Sequence, residues 1–167
     1  MTTNNHNFVW SNKPKWSNIA GFNTYNNSLI CGKLIDMNIS DKNPEFTLVW
    51  FGQNKINTQG LFTVIPTVDG NISINIDAIS NSLLIKHNNN ILGTYNIGLA
   101  SMDLMYSIVY NDNHIKIYIN DIEITDKKPL HFAKKIQLSD SQFIINPNNK
   151  LAMNLYNIAV YSSALEK

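Results

Sequence analysis

The residues of this chain best suited to chemistry are aromatic side chains beside asparagine-rich segments: Trp16, Tyr25 and Tyr95. An aromatic ring can stack on the apolar face of a sugar, and Asn or Asp side chains can hydrogen-bond to sugar hydroxyl groups. Trp16 follows a Lys-Pro-Lys stretch, which favours partial exposure of its ring. We therefore predict a ligand-binding set of Trp16, Tyr25, Asn71 and Tyr95. The competing interpretation is that each of them caps or fills the core.

Carboxylates with catalytic spacing are scarce. The chain has only three glutamates, Glu45, Glu123 and Glu166. Glycoside hydrolysis uses two carboxyl groups held roughly 5 to 10 Å apart. The nearest approach to such a pair is Asp121-Ile122-Glu123, which falls in a predicted hairpin turn and is expected to face solvent. We therefore predict no catalytic residues and expect that the chain is not an enzyme.

The histidines and the cysteine show no metal-binding or nucleophilic pattern. His6, His87, His114 and His131 do not fall at His-x-His or His-x3-His spacing, and surface positions are expected for them. Cys31 is the only cysteine, so no disulfide forms within the chain, and its apolar neighbours predict a buried thiol. No metal ligand is assigned from the sequence.

Short β-strands are the elements that must position these residues. A set of mostly apolar residues in 107–124 recurs with a period near two, which is typical of strands with one buried face: Ser107, Val109, Ile115, Ile117, Ile119, Ile122 and Ile124. Asn111-Asp112-Asn113 and Asn120-Asp121 are turn sequences between those strands. The clearest central strand is 45–51, because aromatic and β-branched residues dominate it.

About a dozen such strands and no helical period predict an all-β sandwich or barrel. The predicted strands include 28–35, 115–119, 122–124, 135–138 and 151–160, while the segment around Trp16 is predicted to be a loop. The 167 residues predict a single domain over 1–167, with residues 1–7 frayed.

Composition excludes some classes of partner. All 13 basic residues are lysine and the net charge is +1, which argues against a nucleic-acid binder, because arginine is the preferred phosphate ligand. No stretch approaches the roughly 20 apolar residues of a membrane span. The start of the chain lacks the pattern of a signal peptide, so we expect cytoplasmic synthesis, although the localisation itself is not predicted.

Three segments resemble the concanavalin A-like superfamily. The run 117–121 (IYIND) is similar to the Tyr-Val-Asn-Gly hairpin of laminin G-like and pentraxin-like domains, and 45–51 resembles a central strand of the same group. The match of 45–51 implies two faces, with Phe46, Leu48 and Trp50 on one and Thr47, Val49 and Phe51 on the other. The closing run 155–165 looks like its last strand and the turn that follows. The resemblance implies a two-sheet antiparallel jelly-roll sandwich over about residues 28 to 165.

The resemblance also implies functions. It implies a non-catalytic binding module for a glycan or glycoprotein, and it makes calcium a candidate ion, with Asp36, Asp69, Asp103 and Asp112 near turns. The alternative is a structural or assembly protein, such as a virion or surface-layer component, with a homo-oligomer as an open expectation. The receptor-binding chains of some clostridial toxins carry a similar jelly roll in Asn- and Ile-rich sequence.

Overall fold

The computed structural model describes residues 9–10, 15–16, 22–23, 28–99 and 101–165. Fifteen β-strands and one short 3-10 helix, Leu34–Met37, lie in this part of the chain. The strands are β1 (Val9–Trp10), β2 (Lys15–Trp16), β3 (Phe22–Asn23), β4 (Leu29–Lys33), β5 (Phe46–Asn54), β6 (Gln59–Thr67), β7 (Gly70–Asp77), β8 (Ser82–His87), β9 (Asn90–Asn96), β10 (Leu104–Asn111), β11 (His114–Ile119), β12 (Ile122–Glu123), β13 (Leu130–His131), β14 (Gln142–Ile145) and β15 (Met153–Tyr161).

The strands form two antiparallel sheets. One sheet has seven strands in the order β1-β4-β14-β6-β7-β8-β9. The other has eight, in the order β12-β11-β10-β5-β15-β3-β2, with β13 also paired to β11. This confirms the predicted jelly-roll sandwich. Strand β5 lies between β10 and β15, so it is the central strand of the eight-stranded sheet.

The two sheets pack through the side of β5 that carries Phe46, Leu48 and Trp50. Phe46, Leu48 and Trp50 are each 2% exposed or less. The Trp50 ring is stacked between Phe62 of the other sheet, with centroids 4.1 Å apart, and Tyr106 of β10, with centroids 4.7 Å apart. Burying aromatic rings in this way supplies a large part of the apolar driving force for folding. The stack therefore joins the two sheets at the centre of the core.

Asparagine has a structural use in the turns. Ten non-glycine residues in the described segments have positive φ angles, and all ten are Asn or Asp. These two residue types tolerate the left-handed region better than other side chains do. In the turns that begin and end β11, both central residues have positive φ, at 42° and 67° for Asp112 and Asn113 and at 46° and 68° for Asn120 and Asp121. This is the backbone of a tight hairpin turn, as predicted for both positions.

Several predicted element boundaries differ from the structure. The segment 135–138 forms no strand and makes only an isolated bridge, from Leu138 to Thr67. The Leu138 N–H donates instead to the backbone oxygen of Asp41, which lies outside both sheets. Leu130–His131 forms the unpredicted strand β13. Residues 34–35 begin the 3-10 helix where a strand was expected, and Lys15–Trp16 forms a strand where a loop was expected.

The face assignment in 107–124 was also partly wrong. Ser107 lies opposite Tyr118, whereas the buried Ile117 lies opposite Ile108, so Ser107 and the isoleucines of β11 occupy different faces. Ile122 is 69% exposed because it follows the tight turn into the edge strand β12. Side chains alternate between the two faces within each strand, as expected. The two hairpin turns, however, change which sequence positions lie on the buried face of the next strand.

Cys31 is a buried thiol, as predicted. The residue is 0% exposed, and burial raises the pKa of its thiol to about 12, because the thiolate would lose its hydration. In the residues that the structure describes, no helix has the length and apolar character required to cross a membrane.

Candidate functional site

The eight-stranded sheet presents an aromatic side chain on its outer face, defined here as the face turned away from the seven-stranded sheet. Phe51 follows the buried Trp50 on β5 and is 38% exposed. The strand register places Met105 of β10 on one side of Phe51 and Asn157 of β15 on the other. An exposed phenyl ring at the centre of a sheet is therefore flanked by a flexible thioether and an exposed amide.

A β-bulge places Tyr156 next to Phe51. The pairing of β15 with β5 shifts by one residue between Leu155 and Asn157, which leaves Tyr156 as the extra residue. Bulges redirect side chains in this way. The rings of Tyr156 and Phe51 have centroids 5.1 Å apart and are tilted by 43°. The two strands thus contribute one ring each to a joined aromatic surface.

The Tyr156 hydroxyl connects this surface to a carboxylate. It donates a hydrogen bond to Asp103 Oδ1 at 3.2 Å, and Asp103 is exposed just before β10. The pKa of Tyr156 is raised, first by burial and then by the negative charge and the hydrogen bond of Asp103. All these causes favour the protonated phenol, so the hydroxyl remains a donor to the carboxylate.

Two amides complete the site. Gln53 Nε2 donates to the backbone oxygen of Ser101 at 2.7 Å, and Asn154 Nδ2 donates to Gln53 Oε1 at 3.4 Å. Asn154 is 0% exposed, so it positions Gln53 and cannot itself meet a ligand. A hydrogen bond from the Asn154 side chain has the opposite effect on Tyr156 and reduces the upward shift of its pKa. We call the five side chains Phe51, Gln53, Asp103, Asn154 and Tyr156 the Phe51 cluster.

The opposite end of the outer face is closed by the last described residues. Thr47 Oγ1 donates to the backbone oxygen of Ser163 at 2.8 Å and accepts from the Leu165 N–H at 2.9 Å. Glu45 accepts from the Ala164 N–H at 3.1 Å. Thr47 is 0% exposed, although alternation places it on the outer face. The Phe51 end is therefore the part of β5 whose outer side chains are accessible.

Asn71 and Tyr95, the two predicted ligand-binding residues whose side chains the structure describes, lie on different strands and not beside one another. Tyr95 is 5% exposed, its hydroxyl donates to the Lys128 backbone oxygen at 2.8 Å, and its strand belongs to the seven-stranded sheet. Tyr95 therefore lies in the core, where its ring offers no face to a ligand. Its burial follows an alternation with Gly93 and Ile97 that was present in the sequence.

Asn71 and the two N-terminal aromatic residues lie elsewhere. Asn71 is half-buried at the start of β7, where its N–H donates to Asn88 Oδ1 at 2.9 Å. Trp16 belongs to β2 at the far edge of the eight-stranded sheet, but its side chain lies outside the described part of the structure, as does all of Tyr25. The binding roles of these residues stay predictions.

The aspartates considered for calcium do not form a common site. Asp69 accepts a hydrogen bond from Thr67 Oγ1 at 3.0 Å, and Asp103 belongs to the Phe51 cluster. Among the described residues, no group of three or more His, Cys, Asp or Glu side chains is arranged to hold a metal ion. No cofactor was predicted, and calcium stays only a candidate ion that the resemblance implied, without assigned ligands.

The sequence contained only a weak signal for the Phe51 cluster. The position of Phe51 opposite Trp50 was already predicted, although a single exposed aromatic residue is ordinary on a protein surface and does not by itself indicate a site. Tyr156 and Asp103 carried no such signal. A bulge orients the first, and the second lies in a loop that pairing of β10 with β5 brings close.

Comparison with known proteins supports the fold and no closer relationship. The sequence matches no protein-family model and no curated protein. Among solved structures, the binding domain of botulinum neurotoxin serotype D/C is similar over 96% of this chain and 44% of that chain, with a TM-score of 0.67 and 16% identity. This chain therefore spans less than half of the toxin domain.

Two further structures match over most of both chains. Carbohydrate-binding module CBM66 from Bacillus subtilis has a TM-score of 0.57 and 13% identity, covering 93% of this chain and 95% of that chain. Alginate lyase A1-II′, a member of polysaccharide lyase family 7, has a TM-score of 0.61 and 12% identity, covering 93% and 85%. The chain has a concanavalin A-like jelly-roll fold. The finer resemblance to laminin G-like and pentraxin-like domains stays a prediction.

The prediction that this chain is not an enzyme is corrected by these comparisons. It rested on the absence of a pair of catalytic carboxylates and of any metal-binding or nucleophilic pattern. An alginate lyase nevertheless shares the fold over nearly the whole chain. The absence of these patterns therefore gives no ground for excluding catalysis, and a search for ligands must also test for their cleavage.

Proposed function

We propose that this chain binds a glycan at the Phe51 cluster. The observation that carries the proposal is the exposed Phe51 ring beside Tyr156, whose hydroxyl is bound to an exposed carboxylate. Sugar rings need an aromatic face for their C–H surface and polar groups at its border for their hydroxyls. A carbohydrate-binding module and a polysaccharide lyase among the structures that share the fold support a carbohydrate ligand.

Each side chain of the cluster has a distinct part in this proposal. Phe51 supplies the stacking face. Asp103 accepts hydrogen bonds from sugar hydroxyls, and the Tyr156 hydroxyl holds the carboxylate in place. Gln53, anchored by its bond to the Ser101 oxygen, presents its amide at the border of the ring. Stacking and hydrogen bonding then act on adjacent parts of one sugar.

The charge of the cluster favours a neutral glycan. The five side chains of the Phe51 cluster carry one formal negative charge, on Asp103, and no positive charge. An acidic sugar bound there would bring a second carboxylate near Asp103 without a cation to compensate it. We therefore expect neutral sugars to bind in preference to uronic or sialic acids.

A glycan array that contains matched neutral and acidic glycans tests this proposal. The array is probed with the wild-type protein in calcium and again in chelator, and the strongest ligands are then incubated with the protein and analysed for cleavage. We expect binding to neutral glycans that is unchanged by chelator. Binding restricted to acidic glycans, or no binding at all, would contradict the proposal, and cleaved products would identify the bound ligand as a substrate.

The alternative of an assembly role stays a prediction. It gains one observation, because Ile91 is 63% exposed on β9, an edge strand of the seven-stranded sheet. Edge strands with exposed apolar residues are pairing surfaces. Light scattering separates the two functions: a defined oligomer that fails to bind any glycan would favour assembly.

A further inference from the structure

Two histidines that are distant in sequence face each other across the edge of the eight-stranded sheet. His114 begins β11 and His131 ends β13, and the antiparallel register places them directly opposite one another. Their ring centroids are 5.9 Å apart and the rings are inclined by 56°. His131 is exposed and His114 is half-buried, so an ion in solution can reach the pair.

The separation of the rings suits coordination of a single metal ion. With zinc–nitrogen bonds of about 2.0 to 2.1 Å, two imidazoles on one ion have ring centres about 5.2 Å apart at a tetrahedral angle and about 6.4 Å apart in line. The observed 5.9 Å lies between these limits. Rotation of the side chains about their own bonds is then sufficient to close the site, without movement of either strand.

A backbone carbonyl beside the His114 ring favours one of its two tautomers. His114 Nδ1 lies 3.4 Å from the backbone oxygen of Asp112. Donation to that oxygen places the proton on Nδ1, so the lone pair is on Nε2. Metal-binding histidines are commonly oriented by such a hydrogen bond from the second ring nitrogen.

The pair opens into a polar cleft. Both histidines line a cavity of about 320 Å³ together with Lys116, Glu123 and Asp126. The cleft has room for water molecules or a small anion to complete a coordination shell. Because no set of three or more candidate protein ligands exists in the described residues, the histidines would be the only two protein ligands.

We propose that His114 and His131 form a binding site for a divalent transition-metal ion, with Zn²⁺ as the ion to test first. Imidazole is a preferred ligand of zinc, nickel and copper, whereas calcium prefers oxygen. The site lies apart from the Phe51 cluster: Phe51 pairs with Met105, which is six residues along β10 from the partner of His114, or about 20 Å. The proposal is therefore independent of glycan binding.

Isothermal titration of the purified chain with ZnCl₂ tests the site, together with thermal melting in zinc and in chelator. The variants are His114→Asn and His131→Asn, and His87→Asn is the control because His87 does not line the cleft. We expect one equivalent of zinc to bind to the wild type and the control and to raise their melting temperatures. Each cleft variant should weaken binding by about tenfold or more.

Unchanged melting temperatures of the variants in chelator establish that they fold, so a loss of zinc binding can be assigned to the missing ligand. The proposal is overturned if the wild type binds no zinc. It is equally overturned if either cleft variant binds zinc as tightly as the control, since the ion would then be held elsewhere.

Discussion

Trp50 and Phe51 are adjacent aromatic residues on β5 whose surroundings are opposite. Trp50 is 0% exposed and is stacked between rings of both sheets. Phe51 is 38% exposed and contacts one ring, that of Tyr156. Strand β5 therefore places one aromatic ring in the core, where its packing stabilises the fold, and the next on the surface, where a ligand can contact it.

The tyrosines beside these two residues sharpen the contrast. On the inner side, Tyr106 accepts a hydrogen bond from Asn54 Nδ2 at 2.9 Å, and burial raises its pKa. On the outer side, Tyr156 donates to an exposed carboxylate. An inner hydroxyl whose partner is buried serves stability, whereas an outer hydroxyl bound to an exposed group is available to organise a ligand.

The largest expected effect is on the inner side. Trp50→Ala removes the centre of the three-ring stack and should lower the free energy of unfolding by about 3 to 5 kcal/mol. Phe51→Ala should lower it by only about 0.5 to 1 kcal/mol, because one cross-strand contact is lost at a partly exposed position. Urea denaturation of both variants measures the difference. Equal losses would show that the two faces of β5 are not distinct in the way described.

The second expected effect is a loss of stability at high pH, caused by the buried thiol of Cys31. Burial raises the pKa of Cys31 from its ordinary value of 9.0 to about 12 in the folded chain, so above pH 9 the unfolded chain releases a proton that the folded chain retains. Stability should therefore be constant below pH 9 and fall by roughly 1 kcal/mol per pH unit above it. Denaturation at pH 7, 9 and 10 measures this slope.

Cys31→Ser provides the comparison for that slope, because a hydroxyl does not ionise in this range. Tyr106 contributes in the same direction at higher pH, since burial raises its pKa as well. The variant should lose stability less steeply between pH 9 and 10 than the wild type does. If stability falls equally steeply with pH in the variant and the wild type, the Cys31 thiol is not the cause of the loss.

The smallest expected effect is on the outer side. Tyr156→Phe keeps the ring beside Phe51 and removes only the hydroxyl that holds Asp103. Loss of one such hydrogen bond, about 0.5 to 1.5 kcal/mol, should weaken glycan binding several-fold while the melting temperature stays nearly constant. Calorimetric titration with the selected glycan measures the change. If the variant binds the glycan as tightly as the wild type does, the hydrogen bond between Tyr156 and Asp103 does not contribute to binding.

The sequence predicted the inner side of this comparison better than the outer side. Phe46, Leu48 and Trp50 were placed together on one face of 45–51 by its match to a family strand, and the fixed period of strand alternation explains why that assignment is correct. Phe51 was placed on the other face by the same argument. The partners of Phe51 were not predictable, because Asp103 and Tyr156 reach it only through strand pairing across roughly 50 and 100 residues of chain.

Residues chosen from loop composition were less informative. Tyr95 was selected for its asparagine-rich neighbours, but it lies on the buried side of β9. Asparagine in this chain often occupies left-handed turn positions, such as Asn88 and Asn120, so its abundance indicates turns and not binding sites. His114 and His131 show the same limit, because local spacing cannot detect a pair that forms across strands.

The most direct test of a ligand site at the Phe51 cluster compares two aromatic residues on one sheet face. Phe51 and Tyr161 are both 38% exposed, and Tyr161 lies opposite Thr47 at the closed end of the outer face. Affinity for the array-selected glycan is measured by calorimetry for Phe51→Ala and Tyr161→Ala. The account predicts a loss of about tenfold or more for Phe51→Ala and no change for Tyr161→Ala. Equal affinities, or a loss confined to Tyr161→Ala, would contradict it.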